Sequence, residues 1–180
     1  MDERILVTGF RPFAKAPSTL FWGNPSEKLA LSLGEMHGSR VRVEILPVDE
    51  RALTQIANLV EAGPRGILML GTDLQTSQCI LELSGVDKAG QVRKSAFAHS
   101  VQQECKALGM ATHSTSRLGI LDDGYCMRSY ERALKAAKDS AACAFVHVQS
   151  PPLANIAKQL EQVSGLFNLI AAAAWPRQGT

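Results

Sequence analysis

Short unbroken apolar runs alternate along this chain with stretches whose apolar residues recur every three or four positions. Arg4-Ile5-Leu6-Val7-Thr8-Gly9, Ile67-Leu68-Met69-Leu70 and Ala144-Phe145-Val146-His147-Val148 read as strands buried on both faces. Val41, Val43 and Ile45 alternate with Arg42 and Glu44, which predicts a strand with one wetter face. Cys79-Ile80-Leu81-Glu82-Leu83 predicts another strand, and Met110 to Ser114 a further one. Asn24-Pro25-Ser26-Glu27 has the cap, the first-turn proline and the acidic third position of a helix start, and that helix should run to about Met36. Asp49 is placed to cap a second helix, whose stripe is Leu53, Ile56 and Val60 and whose stop is Gly63-Pro64. Phe97, Val101, Cys105 and Leu108 form a third stripe, and Met127, Tyr130 and Leu134 a fourth that begins at Cys126. Ile156, Leu160, Val163, Phe167 and Ile170 form the last. Between these lie a long loop from Phe10 to Gly23, a polar loop from Gly71 to Gln78 and a turn-rich connection from Gly85 to Lys94. Asp122 to Tyr125 reads as a turn, and Ser150-Pro151-Pro152 as a break.

Strands and helices alternating over the whole length predict one α/β domain spanning residues 1–180. The expected architecture is three-layer α/β/α around a central twisted, mostly parallel sheet. Composition does not disturb this picture: 46% of residues are hydrophobic and 20% charged, as in ordinary globular chains. The net charge of +2 carries no Lys/Arg run, so nucleic acid is not an expected partner. No apolar run reaches the roughly 18 residues of a membrane span, and Met1-Asp2-Glu3-Arg4 lacks the features of a secretory leader. The expected setting is the cytoplasm, with reduced thiols.

Four cysteines (Cys79, Cys105, Cys126, Cys143) and four histidines (His37, His99, His113, His147) show no metal-ligand spacing, so no metal is expected. No G-x-G-x-x-G follows the first strand, and no other cofactor is expected. Three positions break the apolar pattern in a chemically useful way. Cys126 opens a helix, where unpaired N–H groups and the helix dipole favour a thiolate and can hold an oxyanion. His147 and Glu82 each interrupt an apolar strand. Thiol, imidazole and carboxylate together are the parts of a nucleophile, its acid/base and the group that orients the imidazole. Each also has a plain structural reading: a packed thiol, a hydrogen-bonded core histidine, an edge acid.

The order of motifs resembles pyroglutamyl peptidase I. Val7-Thr8-Gly9-Phe10-Arg11-Pro12-Phe13, followed by Asn24-Pro25-Ser26, is similar to that family's opening V-T-G-F-x-P-F and N-P-S. Leu46-Pro47-Val48 resembles its L-P-V. Gly71 stands where its glycine-rich loop begins, and Glu82, eleven residues on, stands at the family's glutamate. Tyr125-Cys126, with Asp123-Gly124 and Tyr130, resembles the nucleophile segment. Phe145-Val146-His147-Val148 resembles F-I-H-V-P around the family's histidine. The resemblance implies Cys126 as nucleophile, His147 as acid/base and Glu82 as its orienter. It implies removal of an N-terminal pyroglutamyl residue, so a peptide with a blocked N-terminus as substrate, and dimers or tetramers. Phe10, Phe13, Thr72 and Tyr125 are the implied substrate-binding residues, the two phenylalanines lining a pocket for a small, flat, uncharged lactam.

The chain also departs from that family. Ala14-Lys15 replace glycines, Gly71-Thr72-Asp73-Leu74-Gln75-Thr76 stands for G-Q-A-G-G-R, and Met127 replaces a polar residue after the cysteine. The 44 residues from Glu82 to Cys126 are fewer than usual by roughly a loop's length. A divergent, shortened member follows. Two other readings stay open: a catalytically impaired relative acting in binding or assembly, and a cysteine hydrolase of the same fold with another small amide substrate.

Overall fold

A computed structural model of the chain describes residues 2–12, 23–73, 76–114, 124–138, 141–150 and 155–176. Among these residues eight strands and six α-helices follow in order: β1 (Ile5–Phe10), α1 (Pro25–His37), β2 (Val41–Leu46), α2 (Arg51–Glu61), β3 (Gly66–Asp73), β4 (Ile80–Glu82), β5 (Ser84–Val86), β6 (Val92–Lys94), α3 (Ala96–Ser100), α4 (Gln102–Ala107), β7 (Ala111–His113), α5 (Tyr125–Ala137), β8 (Ala142–Gln149) and α6 (Ile156–Ala174). Six strands form one sheet in the order β2-β1-β3-β8-β4-β7. The β2, β1, β3 and β8 strands are mutually parallel, and β4 runs antiparallel to β8 but parallel to β7. The architecture is the expected three-layer α/β/α with a mostly parallel sheet.

Strand alternation sorts the core into two faces. Ile5, Val7, Leu68, Leu70, Ala144 and Val146 point toward α1 and α6 and meet Leu29, Leu33, Val163 and Phe167. Leu6, Phe10, Ile67, Met69, Cys143 and Phe145 point the other way, toward α2 and α5. The α6 residues Val163, Leu166, Phe167 and Ile170 are all fully buried, which is the three-four spacing of one helical stripe. Each such Leu, Ile or Phe contributes about 1.5–3 kcal/mol by leaving water.

Local chemistry sets the element ends. Asn24 caps α1, its Oδ1 accepting from the Ser26 N–H at 3.0 Å, with Pro25 in the first turn. Asp49, expected to cap α2, lies one residue ahead of the N-cap, which is Glu50 and makes no side-chain cap bond; the Asp49 Oδ1 accepts from the Arg51 N–H at 2.9 Å. Three features differ from the sequence reading. The connection from Gly85 to Lys94 is largely a β5–β6 hairpin, antiparallel from Ser84↔Lys94 to Val86↔Val92. The third helical stripe is two short helices, parted at Val101 with φ −105° and ψ 14°. Strand β3 continues past Gly71 to Asp73, because β8 pairs with it as far as Asp73↔Gln149. No helix among the described residues is long and apolar enough to cross a membrane.

Candidate active site

At the carboxyl end of β3 and β8 the parallel register pairs Gly71 with His147. The carboxyl ends of strands in such sheets are where open α/β folds place their ligands. His147 alternates in phase with Cys143 and Phe145, so its ring lies on the α2/α5 side of the sheet. Because β4 enters antiparallel, it pairs Glu82 with Phe145, two residues deeper than His147 and on the same side. The Glu82 carboxylate, 2% exposed, reaches back to His147, with Oε1 2.9 Å from Nδ1. Burying a carboxylate costs several kcal/mol unless hydrogen bonds offset it, and the imidazole supplies one. That bond leaves Nε2 as the outward nitrogen of His147.

Cys126 comes to this face from α5. It is the second residue of the helix, whose first bond runs from the Arg128 N–H to the Gly124 carbonyl at 2.8 Å. The thiol thus lies in the first turn of the helix, among the positive ends of backbone dipoles. Its sulfur lies against Gly71. A Cβ at that position would come within 2.9 Å of Cys126 Sγ and 2.5 Å of Phe145 Cζ. Glycine is therefore required for helix and strand to approach this closely at the very residue that pairs with His147. Glu82, His147 and Cys126, from three separate parts of the chain, thus share one side of one sheet edge.

Phe145 holds the arrangement from beneath. Its ring meets His147 edge-on, centroids 4.9 Å apart, and Tyr130 at 5.4 Å. The Tyr130 hydroxyl donates toward the carbonyls of Glu82 (3.3 Å) and Cys143 (3.4 Å). Full burial pushes its phenol well above the usual tyrosine range, so it stays protonated as a fixed donor. The β5–β6 hairpin clamps α5 from outside. A Cβ on Gly85 would meet Glu131 N at 2.3 Å, so the hairpin rests directly on the helix backbone, and Arg93 pairs with Glu131 at 3.3 Å.

The other three thiols are unlike Cys126 in setting. Burial pushes Cys79 up to about 12 and Cys105 up to about 11, and raises Cys143 further. They stay protonated near neutrality, as poor nucleophiles. Among the described residues no three His, Cys, Asp or Glu side chains are grouped to hold a metal ion.

The residues expected to bind substrate are placed differently from one another. Phe10 lies on the Cys126 side of the sheet, 1% exposed, in the cluster that contains Leu46 and Cys126. Phe13 lies outside the described residues, as do Leu74 and Gln75 of the altered loop. Tyr125 is half-buried at the start of α5, its ring 5.2 Å from the Arg128 guanidinium, whose Nη2 donates to both carboxylate oxygens of Glu50, at 2.9 and 2.8 Å. Thr72 departs from the expectation. Its hydroxyl donates to Asn24 Oδ1, which also accepts from Ser26 Oγ at 2.8 Å. Alternation puts this side chain on the α1 side, where it ties β3 to the start of α1 rather than facing Cys126. Sequence reasoning also missed His113, whose Nδ1 lies 3.1 Å from Glu82 Oε2. It ends a three-residue strand, and only the β4–β7 register reveals it as Glu82's neighbour.

No protein-family model and no curated protein sequence matches the chain. Solved structures do match. Pyrrolidone carboxyl peptidase from Thermococcus litoralis aligns with a TM-score of 0.72 at 16% identity, over 94% of this chain and 93% of that one. The pyrrolidone carboxyl peptidase from Thermus thermophilus gives 0.70 at 22% identity, over 91% and 98%. A mutant of the Pyrococcus furiosus enzyme gives 0.71 at 17% identity, over 96% and 100%. The chain has the pyrrolidone carboxyl peptidase fold, in a sequence far diverged from these structures. At such identities the likeness speaks for the fold.

Proposed function

We propose that this protein is a cysteine peptidase that removes an N-terminal pyroglutamyl residue from peptides. The observation that carries the reading is the 2.9 Å contact of Glu82 with His147 Nδ1, on the sheet face where the first-turn thiol of Cys126 packs against His147's strand partner Gly71.

In this reaction His147 Nε2 takes the Cys126 proton, and the thiolate attacks the pyroglutamyl carbonyl carbon. The carbonyl π electrons move to oxygen, and the first-turn N–H groups of α5 stabilise the oxyanion. Collapse of the tetrahedral species breaks the C–N bond, and His147 gives its proton to the leaving amine. A thioester remains. Water attacks it with His147 as base, the C–S bond breaks, and free pyroglutamate leaves with the thiol restored. Glu82 keeps the Nδ1 proton in place and stabilises the imidazolium in both halves. Phe10 gives the lactam an apolar wall, and Tyr125 borders it at the start of α5. The three solved structures named above are pyrrolidone carboxyl peptidases, and the likeness of fold supports this reading.

The test compares release of a fluorescent amine from L-pyroglutamyl and L-prolyl amides by the native protein and Cys126→Ala. The native protein should cleave only the pyroglutamyl amide, and Cys126→Ala should lower that rate by at least about 10³-fold. Equal rates in the two proteins, or preference for the prolyl amide, would overturn the reading.

A further inference from the structure

Glu82 has a second carboxylate oxygen, and a second imidazole holds it. His113 ends the edge strand β7 and is the register partner of Glu82 in the β4–β7 ladder. Its Nδ1 lies 3.1 Å from Oε2 and 3.4 Å from Oε1, while His147 Nδ1 lies 2.9 Å from Oε1. An ionised carboxylate only accepts, so both imidazoles carry their proton on Nδ1 in this arrangement. The two rings differ in setting: the His113 side chain is 59% exposed and that of His147 is 14% exposed. The His113 backbone is pinned, its carbonyl accepting from the Leu83 N–H at 2.8 Å.

We infer that His113 is a positioning residue for the reaction proposed above, and the inference rests on that reading. A glutamate side chain has three torsions, and the last is broad. Each donor on the carboxylate narrows that freedom, and the one on Oε2 helps present Oε1 to His147 Nδ1. Tyr130 cannot replace it, because its hydroxyl reaches the Glu82 main-chain carbonyl and not the carboxylate. His113 therefore acts on the thiol through two intermediaries, and its loss should slow turnover without weakening substrate binding.

The experiment compares native protein, His113→Ala and His113→Asn in pyroglutamyl-amide hydrolysis and in the downfield proton NMR spectrum. The His147 Nδ1 proton is assigned there by its absence in His147→Gln. We expect His113→Ala to lower kcat about tenfold with KM within about twofold. The His147 Nδ1 resonance should shift or broaden. In His113→Asn the amide nitrogen can stand in for Nδ1, so most of kcat and the native resonance should return. An unchanged resonance in His113→Ala overturns the inference, and so does equal loss in both variants. If the native protein cleaves no pyroglutamyl amide, the peptidase reading fails alone. The response of the His147 resonance to His113→Ala and to His113→Asn then still decides whether His113 positions Glu82.

Discussion

The two faces of the central sheet are built from the same strands, yet they solve different problems. On the α1/α6 side, Ile5, Val7, Leu68, Leu70, Val146 and Val148 meet apolar helix stripes. The polar Asn24–Ser26–Thr72 cluster on that side closes in on itself at the sheet edge, each oxygen satisfied locally. On the α2/α5 side, Leu6, Ile67, Met69 and Phe145 make an equally apolar floor. Above it stand a buried carboxylate, an imidazole and a thiol at a helix start. A carboxylate buried among apolar groups adds little to stability and often subtracts from it. Among the described residues, its position on the α2/α5 side is what directs the proposed chemistry to that face.

Substitutions on each side of the sheet test this division of labour. Phe145→Ala should have the largest effect on folding, about 3–5 kcal/mol lost in urea unfolding, because the ring is fully buried between Tyr130 and His147. Gly71→Ala should cost about 1–3 kcal/mol by the same measurement, since its Cβ would press on Phe145 and the Cys126 sulfur. It should also lower kcat, and native activity in this variant would separate Gly71 from the site.

The apolar face should show itself in alkali. An unfolded thiol loses its proton near 9.0, whereas Cys79 and Cys105 are held up to about 12 and about 11 by burial. Above pH 9 the unfolded chain therefore binds fewer protons than the folded one. Their contribution to stability is whole below pH 9 and falls as pH rises toward 11–12. Urea midpoints measured from pH 8 to 11 should decline, and Cys105→Ala should flatten part of that decline. Thr72→Val should have the smallest effect, about 1 kcal/mol for the lost bond to Asn24, with kcat/KM within about threefold. A large fall in kcat/KM at unchanged stability would move Thr72 into the substrate site after all.

Much of the fold was legible because burial leaves periodic traces. Strands β1, β3 and β8 stand out as apolar runs, and α1 announces itself through Asn24-Pro25. Glu82 and His147 were visible as polar intrusions in such runs, and Cys126 as a thiol at a helix start. What stayed hidden depends on pairing between distant residues. The β5 and β6 strands have three residues each, and β6 is exposed throughout, so no alternation marks them. The stripe Phe97, Val101, Cys105 keeps helical spacing across the break at Val101, so the pattern does not register it. Nothing in Ile80-Leu81-Glu82 reveals that β4 runs antiparallel to β8, and His113 becomes Glu82's neighbour only through the register that follows.

Whether Cys126 and His147 work together is measured by pyroglutamyl-amide hydrolysis in Cys126→Ala, His147→Ala and the protein carrying both. Groups that act as one unit lose their effect together. Each single variant should fall by at least about 10³-fold, and the double variant should be no slower than the worse of the two. Losses that multiply, or a Cys126→Ala protein that turns over at the native rate, would contradict that joint action.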